Sequence, residues 1–290
     1  MAAPGRLINW GIFLALSLIW GSSFILMKIG LEALSAYQVA ALRIFSAGIV
    51  LLPAAIGQIR KLPKARLILI ITSGMLGSFF PAFLFCIAET KIDSYLAGII
   101  NALTPIITMI TGVVFSQSRI QWQKVMGVLT SFAGLCILLV SKGKIGLDYL
   151  SYAGLVLLAT LCYGINVNMV SRYLKDVGSL NIAAIAISFL LIPSLLVLYY
   201  TGYFQLPLLE SNYLFASTAS VILGVMGTAL ASIIFYMLVK RAGIIFPSMV
   251  TYVIPCVAIF WGSLYNEMIT FLEIGCLAII LAGVFLTNKN

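Results

Sequence analysis

Long apolar stretches separated by short polar connections run along almost the whole chain. A helix needs about 20 apolar residues to cross the hydrocarbon core of a bilayer, and ten stretches meet that requirement. No polar connection between them is long enough to form a soluble domain. The pattern predicts an all-α integral membrane protein with ten transmembrane helices, at residues 9–30, 36–58, 66–88, 94–115, 121–140, 151–171, 181–201, 213–238, 244–264 and 270–287.

The second half of the chain repeats features of the first half. At a spacing of 150 residues the matched pairs are Gly74 and Gly224, Gly77 and Gly227, Phe85 and Phe235, Pro105 and Pro255, and Gly112 and Gly262. Near the first span the spacing is 143, which pairs Gly11 with Gly154 and Trp20-Gly21 with Tyr163-Gly164. Each half holds an odd number of spans, so the second half must start from the opposite side of the membrane. The sequence therefore predicts two inverted five-helix repeats, residues 1–145 and 146–290, around a central cavity at the repeat interface.

Composition excludes several classes of protein. Hydrophobic residues make up 62% of the chain and charged residues only 9%, whereas soluble domains carry about 25% charged residues. The net charge is +9, but the basic residues are dispersed between spans, so we expect no nucleic-acid partner. The chain has no histidine, and its five cysteines lie in apolar stretches, where thiols act as small hydrophobes. We expect no metal, cofactor or disulfide framework, and we expect a small-molecule substrate and the lipid bilayer as partners. The oligomeric state stays open, and a monomer is compatible with the sequence.

The distribution of lysine and arginine predicts the orientation, because cytoplasmic loops carry an excess of these residues. The strongest signal is "QIRKLPKAR" at residues 58–66, between the second and third spans. This places both termini on the cytoplasmic side of the cell (inner) membrane. The first span is too long for the core of a signal peptide and is expected to be retained.

Five motifs in order identify a family resemblance. They are "LIWGSSFILMKIG" (18–30), "ALRIFSAGIVLL" (41–52), "LTPIITMITG" (103–112), "VIPCVAIFWGSLYNEMIT" (253–270) and "GCLAIILAGVFL" (275–286). Together they resemble the EamA-type transporters of the drug/metabolite transporter superfamily. The resemblance implies a ten-helix exporter or permease with a central cavity, commonly acting on amino acids or other small metabolites. The acidic residue that the family carries after the fourth span of a repeat is present as Glu267, whereas the first repeat has Gln117.

Two prolines inside predicted spans are candidate helix kinks. A proline in a helix interior removes one backbone hydrogen bond, so Pro105 and Pro255 free the carbonyls of Asn101 and Thr251. Such carbonyls are tolerated at membrane depth only where protein or cavity water satisfies them. We therefore expect both helices to kink toward a wet cavity, with the Asn101 amide bonding the carbonyl or a substrate. A purely structural bend is the alternative.

Polar and aromatic side chains at mid-depth are candidates to line that cavity, because they usually face the protein interior. Interhelical hydrogen bonding and close packing are the alternative roles. The candidate substrate-binding residues are Trp20, Ser23, Phe24, Phe80, Phe83, Asn101, Tyr163, Asn166, Tyr236 and Tyr252.

Four charged residues lie within or at the ends of spans, namely Lys28, Arg43, Glu89 and Glu267. Arg43 lies about seven residues into the second span, roughly 10 Å below the membrane surface. Arg43 or Lys28 could hold a substrate carboxylate, but for Arg43 we prefer an internal ion pair. Every acidic residue maps to a loop or a span end, so no midplane proton or sodium relay is visible. We predict a facilitative carrier or exchanger, or one coupled through an end-located carboxylate such as Glu89 or Glu267.

These features favour a transporter that moves small metabolites, with amino acids or related compounds first, by alternating access. Export of other metabolites or of drugs is an alternative within the same class. An intramembrane enzyme would need a nucleophile or base at depth, which the sequence does not provide, so we expect no enzyme. A scaffold or receptor would have a dry, fully packed centre.

Overall fold

The computed structural model describes residues 4–116, 122–141, 147–265, 267 and 269–288, and every regular element within them is helical. The helices are α1 (Pro4–Leu31), α2 (Ala36–Ile59), α3 (Lys64–Ala88), α4 (Ser94–Asn101 and Thr104–Ser116), α5 (Trp122–Ser141), α6 (Leu147–Tyr173), α7 (Ser179–Phe189 and Leu191–Tyr200), α8 (Ser211–Ala242), α9 (Ile245–Ser248 and Val250–Leu264) and α10 (Phe271–Asn288). Among the described residues, α1–α4 and α6–α9 are long and apolar enough to cross a membrane. The all-helical fold is thus confirmed, and the count of ten spans stays a prediction.

Short connections join consecutive helices, and a side-chain cap marks the start of α2. Ser35 precedes α2 and accepts a hydrogen bond from the backbone of Gln38, while the Gln38 side chain accepts one from the Ser35 backbone. This reciprocal capping box satisfies backbone donors that a helix start leaves unpaired. The Gln38 amide also donates to the carbonyl of Thr201 at the end of α7, at 2.9 Å. The cap of α2 is therefore tied to a helix in the other half of the chain.

Helix packing follows the internal repeat. Helix α1 packs against α8 and α9 of the second half, and α6 packs against α3 and α4 of the first half. Two further pairs, α2 with α7 and α5 with α10, join equivalent helices of the two halves. Exchanging each helix for its counterpart in the other half, α1 for α6 and so on, converts these helix pairs into one another. This exchange is what a twofold pseudosymmetry between two repeats produces.

Glycines set the close approaches between the halves. Gly21 lies against Val257, Gly164 against Ile107, Gly224 against the backbone of Arg43, and Gly74 against the backbone of Ala186. These contacts form two equivalent pairs under the spacings of 143 and 150 residues. Small residues let helix backbones approach closely where lipid provides no hydrophobic driving force for association. The repeat is therefore visible in packing as well as in sequence.

Irregular turns also occur at equivalent places in the two halves. Helix α3 contains a π-helical segment at Met75–Phe79, and α8 contains one at Leu223–Leu230. Helix α4 is interrupted at residues 102–103, and α9 is interrupted at Met249. π-Segments frequently occur at functional sites, and interrupted helices in transporters typically frame one. All four irregularities border the centre of the bundle, which the next section describes.

The glycine contacts generate a stability prediction. A methyl group at Gly224 would overlap the backbone oxygen of Arg43 and the Ser46 hydroxyl, so helix α8 would have to move. We expect Gly224→Ala to destabilise the protein by about 1–3 kcal/mol, the range for overpacking. Gly275→Ala is the matched control, because a methyl group there meets nothing within 4 Å. Thermal unfolding in detergent should fall for the first variant and not for the control; equal midpoints would contradict the close contact.

Candidate functional site

A cavity of about 90 Å³ lies at the centre of the bundle, between helices of both halves. It is lined by side chains of α1, α2, α3, α4, α6, α8 and α9. These are the first four helices of each repeat, apart from α7. The lining mixes aromatic groups with amides, hydroxyls and one guanidinium. A space of this size holds several water molecules where its walls are polar. The centre of the protein is therefore not fully packed, and its volume is sufficient for water.

Seven of the ten candidate residues line this cavity, namely Trp20, Ser23, Phe24, Asn101, Tyr163, Asn166 and Tyr236. Trp20 donates its indole N–H to the carbonyl of Gly227, at 3.0 Å, so it also bridges α1 and α8. The Ser23 hydroxyl donates to Ile19 on its own helix, at 2.9 Å. The cavity wall is thus partly built from residues that hold the helices together, and both roles considered for these side chains coexist.

The other three candidates, Phe80, Phe83 and Tyr252, are not among the residues lining the described cavity. Phe80 is 45% exposed on the outer surface, and Phe83 packs against Phe79 with ring centroids 4.8 Å apart. Phe85 lines the cavity from α3 instead, and Phe235 does so from α8. The π-helical turn at residues 75–79 changes the angular step between side chains, so regular helical spacing misplaces the aromatic residues that follow. The repeat match of Phe85 with Phe235 was the sequence signal for this pair.

The interruptions in α4 and α9 carry the same hydrogen-bond motif. Thr104 donates its hydroxyl to the carbonyl of Asn101 at 2.6 Å, and Thr251 donates to the carbonyl of Ser248 at 2.8 Å. All four residues line the cavity. At each interruption a threonine hydroxyl thus donates to the carbonyl three residues earlier. The Asn101 side-chain oxygen also lies 3.0 Å from the Thr104 hydroxyl.

The two prolines play unequal parts in these interruptions. Pro105 is the second residue of the helix that follows the break in α4, where a proline costs no helical hydrogen bond. Pro255 instead lies inside the continuous helix Val250–Leu264, six residues after the break at Met249. A kink at Pro255 therefore stays a prediction, because the helix around it is continuous and the interruption of α9 lies at Met249. Neither proline lines the described cavity.

A hydrogen-bonded triad ties three helices together on one side of the cavity. Ser73 of α3 donates to the Asn166 side-chain oxygen at 2.7 Å, and its hydroxyl lies 3.2 Å from that of Tyr236. Asn166 of α6 donates its amide N–H to the Tyr236 oxygen, also at 3.2 Å. All three side chains are buried. Asn166 and Tyr236 consequently present only part of their polar surface to the cavity.

Arg43 brings a positive charge to the cavity wall. Its Nε donates to the Thr228 hydroxyl at 2.7 Å, and one Nη lies 3.8 Å from the Met27 sulfur. The residue is 9% exposed. In the described part of the chain no carboxylate lies within ion-pair distance of Arg43. The preferred expectation of an internal ion pair is therefore not met. Arg43 donates a hydrogen bond to the neutral hydroxyl of Thr228 instead.

A charged contact ties the two halves together at one end of the bundle. Glu267, in the segment after α9, accepts hydrogen bonds at Oε1 from Lys28 Nζ at 2.5 Å and from Ser94, whose Oγ and backbone N lie at 2.7 and 3.2 Å. Lys28 belongs to α1 and Ser94 begins α4, so the contact joins the two halves. We call this contact the Glu267 clasp, and the end of the molecule that carries it the Glu267 end.

Glu89 lies at the same end, immediately beyond the C-terminus of α3. Both of its carboxyl oxygens are buried and have no hydrogen-bond partner in the described residues. Burial, followed by the neighbouring Glu267, raises the pKa of Glu89 well above its usual value, and Arg43 and Lys28 oppose this shift. Gln117, the repeat counterpart of Glu267, lies outside the described residues.

Comparison with known proteins identifies the family. The sequence profile of the EamA-like transporter family matches residues 9–140 and 150–289. The chain belongs to the EamA-like transporter family. It is a multi-span membrane protein built on the two-repeat architecture of that family, and the resemblance inferred from its motifs is confirmed.

Relatives add detail at lower similarity. The chain is 27% identical over 135 residues to the uncharacterized inner membrane transporter YedA of Escherichia coli K12, and equally to YedA of the O6:H1 and O157:H7 strains. That match covers 44% of this chain and 42% of the relative, so it spans less than half of the curated relatives' length. One protein of known crystal structure shares the fold, with a TM-score of 0.67 and 17% identity over 96% of this chain and 95% of its own.

The buried triad generates a prediction about stability. Tyr236→Phe removes the hydroxyl that Ser73 and Asn166 contact, and we expect it to lower the free energy of unfolding by about 0.5–1.5 kcal/mol. Tyr200→Phe is the control, because Tyr200 is 81% exposed. Chemical denaturation in detergent measures both variants. If they were equally stable, the triad would contribute nothing.

Proposed function

We propose that this member of the EamA-like family is a transporter that moves small metabolites across the cell (inner) membrane by alternating access. Its ten spans would form two inverted repeats, residues 1–145 and 146–290, with both termini cytoplasmic. Family membership supports transport over an intramembrane enzyme. The exchange of helix partners between the halves supports twofold pseudosymmetry. The location is supported by the relative YedA, which is named as an inner membrane transporter.

The position of the cavity supports alternating access. It lies between the repeats, against the broken α4 and α9, where transporters of inverted-repeat architecture bind their substrates. The Glu267 clasp closes one end of the molecule with contacts that cross from one half to the other. Rocking the two halves about the cavity would separate the clasp and open that end while the helices themselves stay intact.

The substrate class rests on Arg43. A buried guanidinium that faces a cavity without a carboxylate partner offers a binding site for an anionic group of a ligand, and arginine binds carboxylates through two parallel hydrogen bonds. The amide of Asn101 and the hydroxyl of Thr108, which has no hydrogen-bond partner in the described residues, are available for further polar groups. Phe24, Phe85 and Phe235 provide an apolar wall. This combination fits small carboxylates with an apolar side chain, and amino acids first.

Counterflow in liposomes tests the proposal. The purified protein is reconstituted into vesicles loaded with one unlabelled compound, and uptake of the labelled compound is followed for a panel of amino acids, the amines formed by their decarboxylation, purines and drug-like cations. We expect counterflow of amino acids and little counterflow of the matching amines, because only the former carry the carboxylate. Equal transport of acid and amine would contradict the role of Arg43, and no counterflow for any compound would contradict transport of these classes.

Substitution of Arg43 generates a second prediction. Arg43→Gln keeps a polar side chain but removes the charge, and we expect counterflow of the carboxylate substrate at low concentration to fall about 10- to 100-fold, the equivalent of about 1.5–3 kcal/mol for a hydrogen bond to a charged group. Arg43→Lys should retain part of the activity. Arg66→Gln is the control, because Arg66 pairs with Asp176 at an exposed site. An unstable Arg43→Gln protein that still transports normally would remove Arg43 from substrate binding.

A further inference from the structure

Four charged side chains at the Glu267 end have uncharged counterparts in the other repeat. We use the term charged cluster for Lys28, Arg43, Glu89 and Glu267. At the repeat spacings of 143 and 150 their counterparts are Ser171, Ala186, Val239 and Gln117. The framework is thus symmetric, whereas the charges of these four side chains have no counterpart in the other repeat. Opening and closing can depend on protonation of this cluster only at the Glu267 end.

The Glu267 clasp holds that end closed in this structure. Its three hydrogen bonds converge on one carboxyl oxygen of Glu267, and they come from α1 and α4 of the first half. The other carboxyl oxygen of Glu267 is buried and has no partner in the described residues. Opening the end would separate these groups and admit water between the halves. The clasp therefore marks a surface that differs between closed and open states.

Glu89 lies beside the clasp in a position that disfavours a negative charge. Its carboxyl group follows the C-terminus of α3, where the helix dipole is negative, and no group in the described chain donates to it. A buried carboxylate without a donor is costly, so such a group binds a proton instead. The surrounding charged and titratable groups are Glu267, Arg43 of α2, Lys28 of α1, and the Cys86 thiol on the helix of Glu89 itself.

Neither nearby cation pairs with Glu89 in this structure. Lys28 donates to Glu267, and the Nε of Arg43 donates to Thr228. Neither lies within ion-pair distance of Glu89. A protonated Glu89 is neutral and needs no cation beside it. Opening the end would hydrate the Glu89 carboxylate and allow Lys28 to pair with either Glu89 or Glu267. The closed and open states thus differ in their affinity for a proton at Glu89.

We propose that Glu89 is a proton-binding site of this carrier, occupied while the Glu267 end is closed and emptied when that end opens. The inference rests on the alternating access proposed above. Because the closed state binds the proton more tightly, acidification on this side favours closure, and alkalisation favours opening. For one proton, the ratio of closed to open molecules changes about tenfold per pH unit between the two pKa values that Glu89 has in the closed and open states.

Distance measurement across the Glu267 end tests the proposal without a substrate. Spin labels are attached to cysteines introduced at the exposed Thr90 and Ser263, which lie on the two halves at this end. The exposed Cys136 and Cys256 are first replaced with alanine. Electron–electron distance distributions are then recorded in lipid from pH 4.5 to pH 9. We expect the short-distance population to grow as the pH falls, with a slope approaching tenfold per pH unit.

Variants identify the titrating group. Glu89→Gln cannot release a proton, so its distribution should stay in the short-distance form at every pH, and Glu89→Val, which carries the residue of the repeat counterpart, serves if the glutamine variant does not fold. Glu32→Gln is the control, because Glu32 is an exposed acid at the same end. It should keep the pH dependence of the unmodified protein. Glu267→Gln should lower the short-distance population and keep the slope.

Two results would overturn the proposal: a distance distribution independent of pH in the unmodified protein, or a pH dependence that persists in both Glu89 variants. Loss of the slope only in Glu267→Gln would assign the proton to Glu267 and likewise overturn it. Counterflow measured on the same preparations separates this outcome from failure of the proposed transport. Normal counterflow with a pH-independent distance contradicts only the proton site, whereas a pH-dependent distance without counterflow contradicts only the transport.

Discussion

Backbone hydrogen bonding inside an apolar medium is the constraint on which this structure depends. With no water in the hydrocarbon core, each peptide group must find a partner within the protein, so continuous helices are the default. The chain departs from continuity in α4 and α9, and the same device compensates both departures, a threonine hydroxyl that donates to the carbonyl three residues earlier. Both breaks border the cavity. Irregular backbone therefore occurs where polar side chains and a cavity can accommodate it.

A symmetric framework carries asymmetric chemistry. Glycine contacts fix the approach of the helices, and they occur in equivalent pairs, such as Gly224 on the backbone of Arg43 and Gly74 on the backbone of Ala186. At this last pair the backbone positions correspond, but only one of them carries a charge. The same contrast applies to Glu89 and Val239. In the alternating access proposed above, twofold packing would allow two equivalent ways of closing the molecule, and the unequal side chains would distinguish them.

Regular helical spacing failed where the helix itself is irregular. Phe80 and Phe83 were expected at the cavity, but the π-helical turn before them changes the side-chain register and Phe85 faces the cavity instead. Pro105 and Pro255 are equivalent in the repeat, yet the interruption of α4 lies just before Pro105 whereas that of α9 lies at Met249. Arg43 was expected in an ion pair, but it donates a hydrogen bond to the neutral hydroxyl of Thr228 on α8, 185 positions away along the chain. Each of these outcomes depends on geometry that a local pattern does not contain.

The sequence by itself determined the class of protein, the approximate limits of its main apolar helices, the internal repeat and most of the polar residues that meet at the centre. These follow from hydropathy and spacing, because the bilayer imposes a length and a polarity on each span. Only the tertiary structure decided which face each residue presents after a π-turn, that Arg43 lacks a carboxylate partner, and that Glu89 is buried beside a clasp that uses Lys28 for another acid. Those properties arise from contacts between distant helices, and such contacts exist only once the two halves have packed together.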